Sequence, residues 1–358
     1  MNASRPTVAV AMSGGVDSSV TAALLVQQGY RVVGLMLRLW TEPGHEAENR
    51  CCTLEATDLA RHVARQLGIP FYLLDARQAF RETVVQYFLD DYAAGRTPNP
   101  CLLCNRRIRW GLLWEHAQRL GATWLATGHY ARLRRDADGR VHLLRGVDER
   151  KDQSYFLSRL TQAQLQHTLL PIGGYRKAQI RALAQEMGLP VARRPDSQDL
   201  CFLAGGDYRD FLRRHAPHTQ RPGPILDTNG RPLGEHRGLA FYTIGQRRGL
   251  GVAVGQPLYV VDKDFARNAL IVGPREAVFR ATLRATAAQW IVPPAEKAFR
   301  AAVQIRATAS AQPATVALQE EGGFRVTFDQ PQKGIAPGQA AVVYVGDECL
   351  GSGIIAGA

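Results

Sequence analysis

The chain has 358 residues, 46% of them hydrophobic, and a formal net charge of +12. That length supports two or three buried cores rather than one. It shows no charged-then-apolar leader and no apolar stretch long enough for a bilayer, so a cytoplasmic protein without a membrane partner is expected. The positive balance suits a polyanion such as nucleic acid. Only five of the 44 basic residues are lysines, however, and genome composition alone can produce such an arginine bias.

Thr7 to Met12 form an uninterrupted apolar run that predicts a buried parallel strand. Ser13-Gly14-Gly15-Val16-Asp17-Ser18-Ser19 follow, opening onto Val20, Ala23 and Leu24 and a stop at Gly29, the pattern of a helix. A strand, a Gly-Gly turn and a hydroxyl-studded helix start make an anion site, because glycine lets backbone N–H groups approach a ligand and the helix dipole favours negative charge. The run lacks the lysine of a Walker A loop. A plain Ser-rich helix cap is the competing interpretation.

Strands are expected at Arg31–Leu37, Pro70–Leu74 and Thr123–Thr127, and helices at Leu54–Leu67, Phe80–Tyr92 and Arg106–Leu120. This alternation predicts an α/β domain with a doubly wound parallel sheet and ligands at the carboxyl ends of its strands. A hairpin, Ala131–Arg134 with Val141–Arg145, precedes helical stretches near Ala163–Thr168 and Lys177–Met187. After about Gly205 helical periodicity fades. Ile225–Asp227 and Arg231–Glu235 flank Thr228-Asn229-Gly230, a hairpin signal, and Leu258–Asp262 pairs in pattern with Ala269–Val272. Beyond Ala277, short strands at Ala314–Leu318, Phe324–Phe328 and Ala341–Val345 suggest a small barrel or sandwich. The expected domains are 1–205, 206–276 and 277–358.

Six cysteines in such a chain argue for catalysis or metal, not a disulfide framework. Cys104 lies near the end of the segment Gly95-Arg96-Thr97-Pro98-Asn99-Pro100-Cys101-Leu102-Leu103-Cys104-Asn105, beside Arg106, Arg107 and Arg109. A helix start and neighbouring cations lower a thiol pKa, so a reactive thiolate is expected there; a structural cysteine is the alternative. Cys201 sits in Asp196-Ser197-Gln198-Asp199-Leu200-Cys201-Phe202-Leu203, where an apolar triplet reads as core and the Arg193-Arg194-Pro195 approach as a mobile, electropositive loop. Cys51-Cys52 has no assigned role, and packing at a helix start is the favoured reading for it.

The Ser13–Ser19 loop resembles the pyrophosphate loop of the N-type ATP pyrophosphatases, which cleave ATP to AMP and pyrophosphate. With the Gly95–Asn105 segment, Ala126-Thr127-Gly128-His129-Tyr130, Lys151-Asp152-Gln153-Ser154-Tyr155-Phe156-Leu157, the Cys201 segment and Pro337-Gly338-Gln339 in this order, nearly the whole chain resembles the bacterial tRNA-specific 2-thiouridylases. The resemblance implies an adenine nucleotide hydrolase-like N-terminal domain, a small mostly β central domain and a C-terminal β-barrel. It implies that Ala11, Met12, Ser13, Gly14, Gly15, Val16, Asp17 and Ser18 hold ATP, with Leu37 and Gly128 bordering the nucleotide. Asn99, Pro100 and Cys101 would line the base pocket, and His129, Lys151, Asp152, Gln153, Arg306, Ala307 and Gln339 would touch tRNA. Cys104 matches the nucleophile and Cys201 the persulfide-bearing cysteine. Two departures stand out: Cys101 replaces a frequent Asp, and Arg306-Ala307 replaces an Arg-Tyr pair.

The implied reaction is 2-thiolation of a wobble uridine. ATP adenylates the C2 oxygen, with Mg²⁺ neutralising the phosphates, and a Cys201 persulfide attacks C2. Cys104 then breaks the carrier S–S bond, leaving a Cys104–Cys201 disulfide. Closing that disulfide would require the Cys201 segment, flanked by Pro195 and Gly205-Gly206, to fold over the pocket when substrates bind. The implied partners are a tRNA and a persulfide-donor protein. Other pyrophosphate-loop ligases, and a zinc or iron–sulfur RNA-binding protein built on Cys101, Cys104 and Cys201, are the alternatives; with no fourth ligand evident, the persulfide route is favoured over a cluster.

Overall fold

Strand β1 (Thr7–Ala11) is central to a five-stranded parallel sheet because Val8, Ala9 and Val10 are all fully buried, leaving it no solvent face. The computed structural model describes residues 5–42, 44, 53–196, 200–203, 206–252 and 254–357. The pair Cys51-Cys52 lies outside them. The chain divides into two compact units, the first comprising Met1–Val85, Cys101–Gly205 and Asp347–Leu350.

In the first unit β1 is followed by α1 (Val16–Gln27), β2 (Arg31–Arg38), α2 (Leu54–Gln66) and β3 (Phe71–Asp75). Thr53 caps α2 by accepting the Ala56 N–H at 3.0 Å. A helical run from α3 (Arg77–Phe80) through a π-helical stretch (Arg81–Val85) leads into α4 (Gln86–Ala93). After α5 (Pro100–Leu103), a second π-helical stretch (Cys104–Leu113) and α6 (Trp114–Arg119) comes β4 (Trp124–Thr127). The hairpin β5 (Ala131–Arg135) and β6 (Val141–Arg145), then α7 (Ser154–Leu157), α8 (Gln162–Gln166), β7 (Thr168–Leu169) and α9 (Lys177–Glu186) complete it.

The strand order is β3-β2-β1-β4-β7, with every pairing parallel. Helices α1 and α9 pack on the sheet through Val20, Ala23, Ile180 and Ala184, all buried. Each fully buried Val, Leu or Ile in this layer is worth roughly 1.5–3 kcal/mol. The chain leaves β1 toward β2 and β3, then returns to the other side as β4. That reversal makes a switch point between β1 and β4, where open α/β sheets bind ligands.

The second unit comprises Gln86–Pro100, Gly206–Gly346 and Gly351–Ala358. The excursion Gln86–Pro100, expected within the N-terminal domain, groups with it: Tyr92 stacks on Tyr208 at 4.8 Å, and Phe88 meets Phe211 edge-on at 6.0 Å. Helix α10 (Tyr208–His215), where no helix was expected, begins this unit's main stretch, its N-terminus capped by the Asp207 carboxylate on the Arg209 N–H. A four-stranded sheet follows, β10-β11-β8-β9, from β8 (Gly223–Asp227), β9 (Pro232–His236), β10 (Tyr259–Asp264) and β11 (Ala269–Gly273). Gly230, at φ +83°, makes the expected turn.

The last six strands are β12 (Phe279–Trp290), β13 (Ala298–Gln304), β14 (Gln312–Gln319), β15 (Gly323–Lys333), β16 (Ala340–Val345) and β17 (Glu348–Gly357). They run in the order β12-β15-β14-β13-β16-β17, and β12 pairs again with β17, closing a barrel. Phe324, Val326, Val316, Val342 and Leu283 fill it. The first residues of β17, Glu348 and Cys349, belong to the first unit, where they pair with β6.

Candidate active site

The pyrophosphate-like loop sits where β1 ends. Ser18 Oγ accepts the Ser13 N–H at 3.1 Å and donates to the Gly15 carbonyl at 3.2 Å, folding the loop over the helix start. Gly14 has φ +69°, and a Cβ there would lie 2.2 Å from the Ala56 carbonyl oxygen, so no other residue fits. Gly15 occupies the N-cap position and, having no side chain, gives the first N–H groups of α1 no side-chain cap. A helix start without a side-chain cap suits an anion, while Ser18 and Ser19 also donate to the Gly15 carbonyl. Gly128, after β4, packs on the same loop: its Cβ would strike the Asp17 carbonyl carbon and the Ser18 nitrogen, both at 2.8 Å.

An acidic residue at an anion site needs a counter-charge, and the fold supplies one from far along the chain. Lys177, first residue of α9, places its ammonium 2.7 and 2.8 Å from the two carboxylate oxygens of Asp17 and 2.9 Å from Asp196. Tyr130 donates its hydroxyl to Asp17 at 2.7 Å. Burial and then the Asp17 charge push the Tyr130 phenol far above its usual range, so it remains a donor. Asp196 also takes Lys151 at 2.7 Å and Arg181 at 2.7 Å. Burial would raise its pKa, but the Lys151 and Lys177 hydrogen bonds outweigh that and bring it to about 2. Arg194, two residues earlier, donates to the Gly14 carbonyl at 2.7 Å. Two residues on the approach to Cys201 are thus tied to the loop, Arg194 directly and Asp196 through Lys177. None of these ties was expected from the sequence; the missing Walker lysine was the available signal that a cation must come from elsewhere.

The thiol-bearing segment is held first by its backbone. Within the second unit, Gln339 donates its amide to the carbonyls of Thr97 and Pro98 at 3.0 and 3.1 Å, Thr97 N–H reaches the Pro337 carbonyl at 2.7 Å, and Lys263 reaches the Gly95 carbonyl at 3.0 Å. Gln339 therefore clasps the segment in this structure. The helix then starts at Pro100, not near Cys104. Proline is pre-set for a first helical position, where its missing N–H costs nothing. Cys104 lies one turn further in, where α-helix passes into π-helix, and the dipole effect expected for it is correspondingly weaker. Cys101, Cys104 and Cys201 are each part-exposed, whereas Cys349 is buried.

Within the first unit, Asn105 anchors the π stretch by donating to the Phe156 carbonyl at 3.0 Å and accepting Arg109 at 2.8 Å. Arg109 also bonds His129 Nε2 at 3.1 Å, and an arginine can only donate, so that nitrogen is the acceptor. The proton sits on Nδ1, facing Thr127 Oγ1 at 2.7 Å. Burial, then Arg109, holds the His129 pKa well below its usual value. His129, expected as a tRNA contact, is buried and neutral in this structure and props Arg109. Phe202, next to Cys201, is buried edge-on to Phe80 at 6.0 Å, and residues 197–199 lie outside the described set.

The other expected tRNA residues are also internally engaged. Asp152 accepts the N–H groups of Gly146 and Ser154 at 3.0 Å, Ser154 Oγ at 2.8 Å and Arg145 at 3.1 Å. Gln153 exchanges hydrogen bonds with the Tyr130 backbone at 3.0 and 2.8 Å, fixing the residue that holds Asp17. Arg306 donates to the Ile244 and Gly334 carbonyls, and Gln304 to the carbonyls of Arg306 and Ala307. Among the described residues no three His, Cys, Asp or Glu side chains gather to hold a metal ion.

Fold and loop together define a HUP-domain protein extended by two β-rich domains. Three family models match in chain order: a tRNA methyl transferase HUP domain over residues 6–205, a tRNA methyl transferase PRC-barrel domain over 209–274, and an aminomethyltransferase beta-barrel domain over 280–355. The tRNA-specific 2-thiouridylase MnmA of Roseiflexus castenholzii is 50% identical over 366 residues, covering 98% of this chain and 99% of the relative. Its counterpart in Chloroflexus aggregans is 51% identical over 352 residues, with 98% of each chain covered. The chain belongs to the tRNA-specific 2-thiouridylases.

Proposed function

We propose that this chain is a tRNA-uridine 2-sulfurtransferase that thiolates the wobble uridine of tRNA at C2, using ATP and a cysteine persulfide. The observation that carries the proposal is the uncapped helix start at Gly15, lying at the sheet's switch point in a chain that shares about half its residues with 2-thiouridylases.

ATP would lie with its phosphates along Ala11–Ser18, on the N–H groups at the start of α1, with Leu37 and Gly128 beside the nucleotide. The Asp17 carboxylate, on exchanging Lys177 or Tyr130, and the Ser13 and Ser18 hydroxyls would hold Mg²⁺, which takes hard oxygen donors and would there neutralise phosphate charge. Lys177 carries the positive charge that the loop itself lacks. The uridine C2 oxygen attacks the α-phosphorus, pyrophosphate leaves, and the C2 oxygen becomes part of an AMP leaving group.

The terminal sulfur of a Cys201 persulfide then attacks C2 and expels AMP. The Cys104 thiolate attacks the Cys201 sulfur, releasing 2-thiouridine and forming a Cys104–Cys201 disulfide, which an external dithiol reduces for the next cycle. A persulfide-donor protein supplies the sulfur. The base has to leave its stack to be reached, which an anticodon-loop uridine does at low cost. A cytoplasmic location goes with a tRNA substrate; among the described residues no helix is long and apolar enough to cross a membrane.

The test is the identity of the nucleotide products. Labelled ATP, turned over with tRNA and a persulfide donor, is expected to give AMP and pyrophosphate, and Asp17→Ala to stop turnover while leaving the fold intact. ADP and phosphate as products would overturn the assignment.

A further inference from the structure

On the C-terminal barrel, Arg284 of β12 stands directly opposite Arg325 of β15, and both are exposed. Their strand neighbours Leu283, Ala285, Phe324 and Val326 are buried in the barrel, so alternation forces both guanidinium groups onto the outer face. Side chains so paired start from Cβ atoms about 4.5–5.5 Å apart, and like charges in that arrangement oppose folding. Neither arginine has an acidic partner among the described residues. The nearby Asp329 is already engaged by Arg300 through a two-toothed ion pair. Beside the arginines, Thr282 faces Thr327 across the same two strands, which adds two hydroxyls to the face.

Two unneutralised guanidinium groups and two hydroxyls on a rigid strand pair offer fork-shaped donors to tetrahedral oxyanions. A monoanionic metabolite would leave half of that charge unmatched. A backbone of repeated phosphates matches it and relieves the repulsion. We propose that the Arg284–Arg325 face binds the sugar–phosphate backbone of RNA, a second contact surface remote in sequence from the thiols. It rests on tRNA being the substrate and deepens that reading by naming where the barrel grips it. The Arg300–Asp329 pair on the same barrel is neutralised already and serves as the internal comparison.

The experiment uses the full chain and a substrate tRNA, with affinity measured over a series of salt concentrations. Arg284→Gln and Arg325→Gln are each expected to make the log–log salt slope shallower by about 0.7–0.9, and the double variant by about twice that. The same variants should unfold at an unchanged or higher urea concentration, because a like-charge pair has gone. The double substitution Arg300→Gln with Asp329→Asn should leave the slope in place. An unchanged slope in the Arg284/Arg325 variants, with wild type binding tRNA normally, overturns this proposal and leaves the tRNA reading standing. Intact tRNA binding with lost transfer from the persulfide donor would show an acidic protein partner instead and also overturn it. Failure of wild type to bind tRNA at all would defeat both.

Discussion

The Ser13–Ser19 loop and the Lys151–Gln153 segment are both short motifs that stand out in the sequence, yet the structure treats them in opposite ways. The loop leaves the N–H groups at the start of α1 without a side-chain cap. Lys151, Asp152 and Gln153 spend their side chains on Asp196, the Gly146–Ser154 turn and the Tyr130 backbone. A motif with open donors binds a ligand by adding contacts. A motif whose donors are taken binds one only by exchanging partners, so substitutions there act on folding before they act on recognition.

The largest effect is expected at the thiols. Cys201→Ser should abolish persulfide loading, whereas Cys104→Ser should retain the persulfide and block repeated turnover, as intact-protein mass spectrometry and multiple-turnover assays will report. Equal losses of loading in both variants would contradict the division of labour. Next comes Asp152→Asn, which weakens four hydrogen bonds to a nearly buried carboxylate and should cost about 2–3 kcal/mol in urea unfolding while leaving the tRNA salt slope unchanged. A stable variant with weakened tRNA binding would place Asp152 on the open side of the comparison.

Lys151→Gln sharpens it further. If Lys151 exchanges Asp196 for a phosphate when tRNA binds, the slope should become shallower by somewhat under one unit, on the order of 0.7–0.9. The smallest effect is a pH dependence. Asp196 titrates near 2 in the folded chain against 3.8 ordinarily, so its contribution to stability is complete above about pH 4 and is lost as pH falls toward 2. Asp196→Asn should flatten that part of the acid-unfolding curve; an identical curve would mean its three cations are not stabilising it.

What could be read in advance follows the same division. Strand β1, the loop and α1 were legible because the apolar run, the glycines and the helical spacing lie within about twenty consecutive residues. The hairpin turn at Gly230 was legible for the same reason. Lys177 meeting Asp17 was not, since nothing in local periodicity links residues 160 positions apart. Strand β7 has two residues and carries no pattern of its own. Helix α10 buries only Phe211 and Leu212 amid charged neighbours, so its apolar stripe was too thin to notice. Strands β12 and β13 are rich in Ala, Thr and Arg, and their barrel-facing alternation is hidden among small residues. The start of the Cys104 helix was misplaced because Pro98 and Pro100 read as an extended loop, whereas Pro100 opens the helix.

ATP use at the Ser13–Ser19 loop and sulfur transfer onto a uridine can be followed in one measurement. Substrate tRNA is incubated with the chain, ATP and a persulfide donor, then digested for nucleoside mass spectrometry while the nucleotides are separated in parallel. The expected result is 2-thiouridine at the wobble position, appearing in step with AMP and pyrophosphate and absent without ATP. Sulfur at C4, no sulfur at all, or thiolation that proceeds without consuming ATP would contradict it.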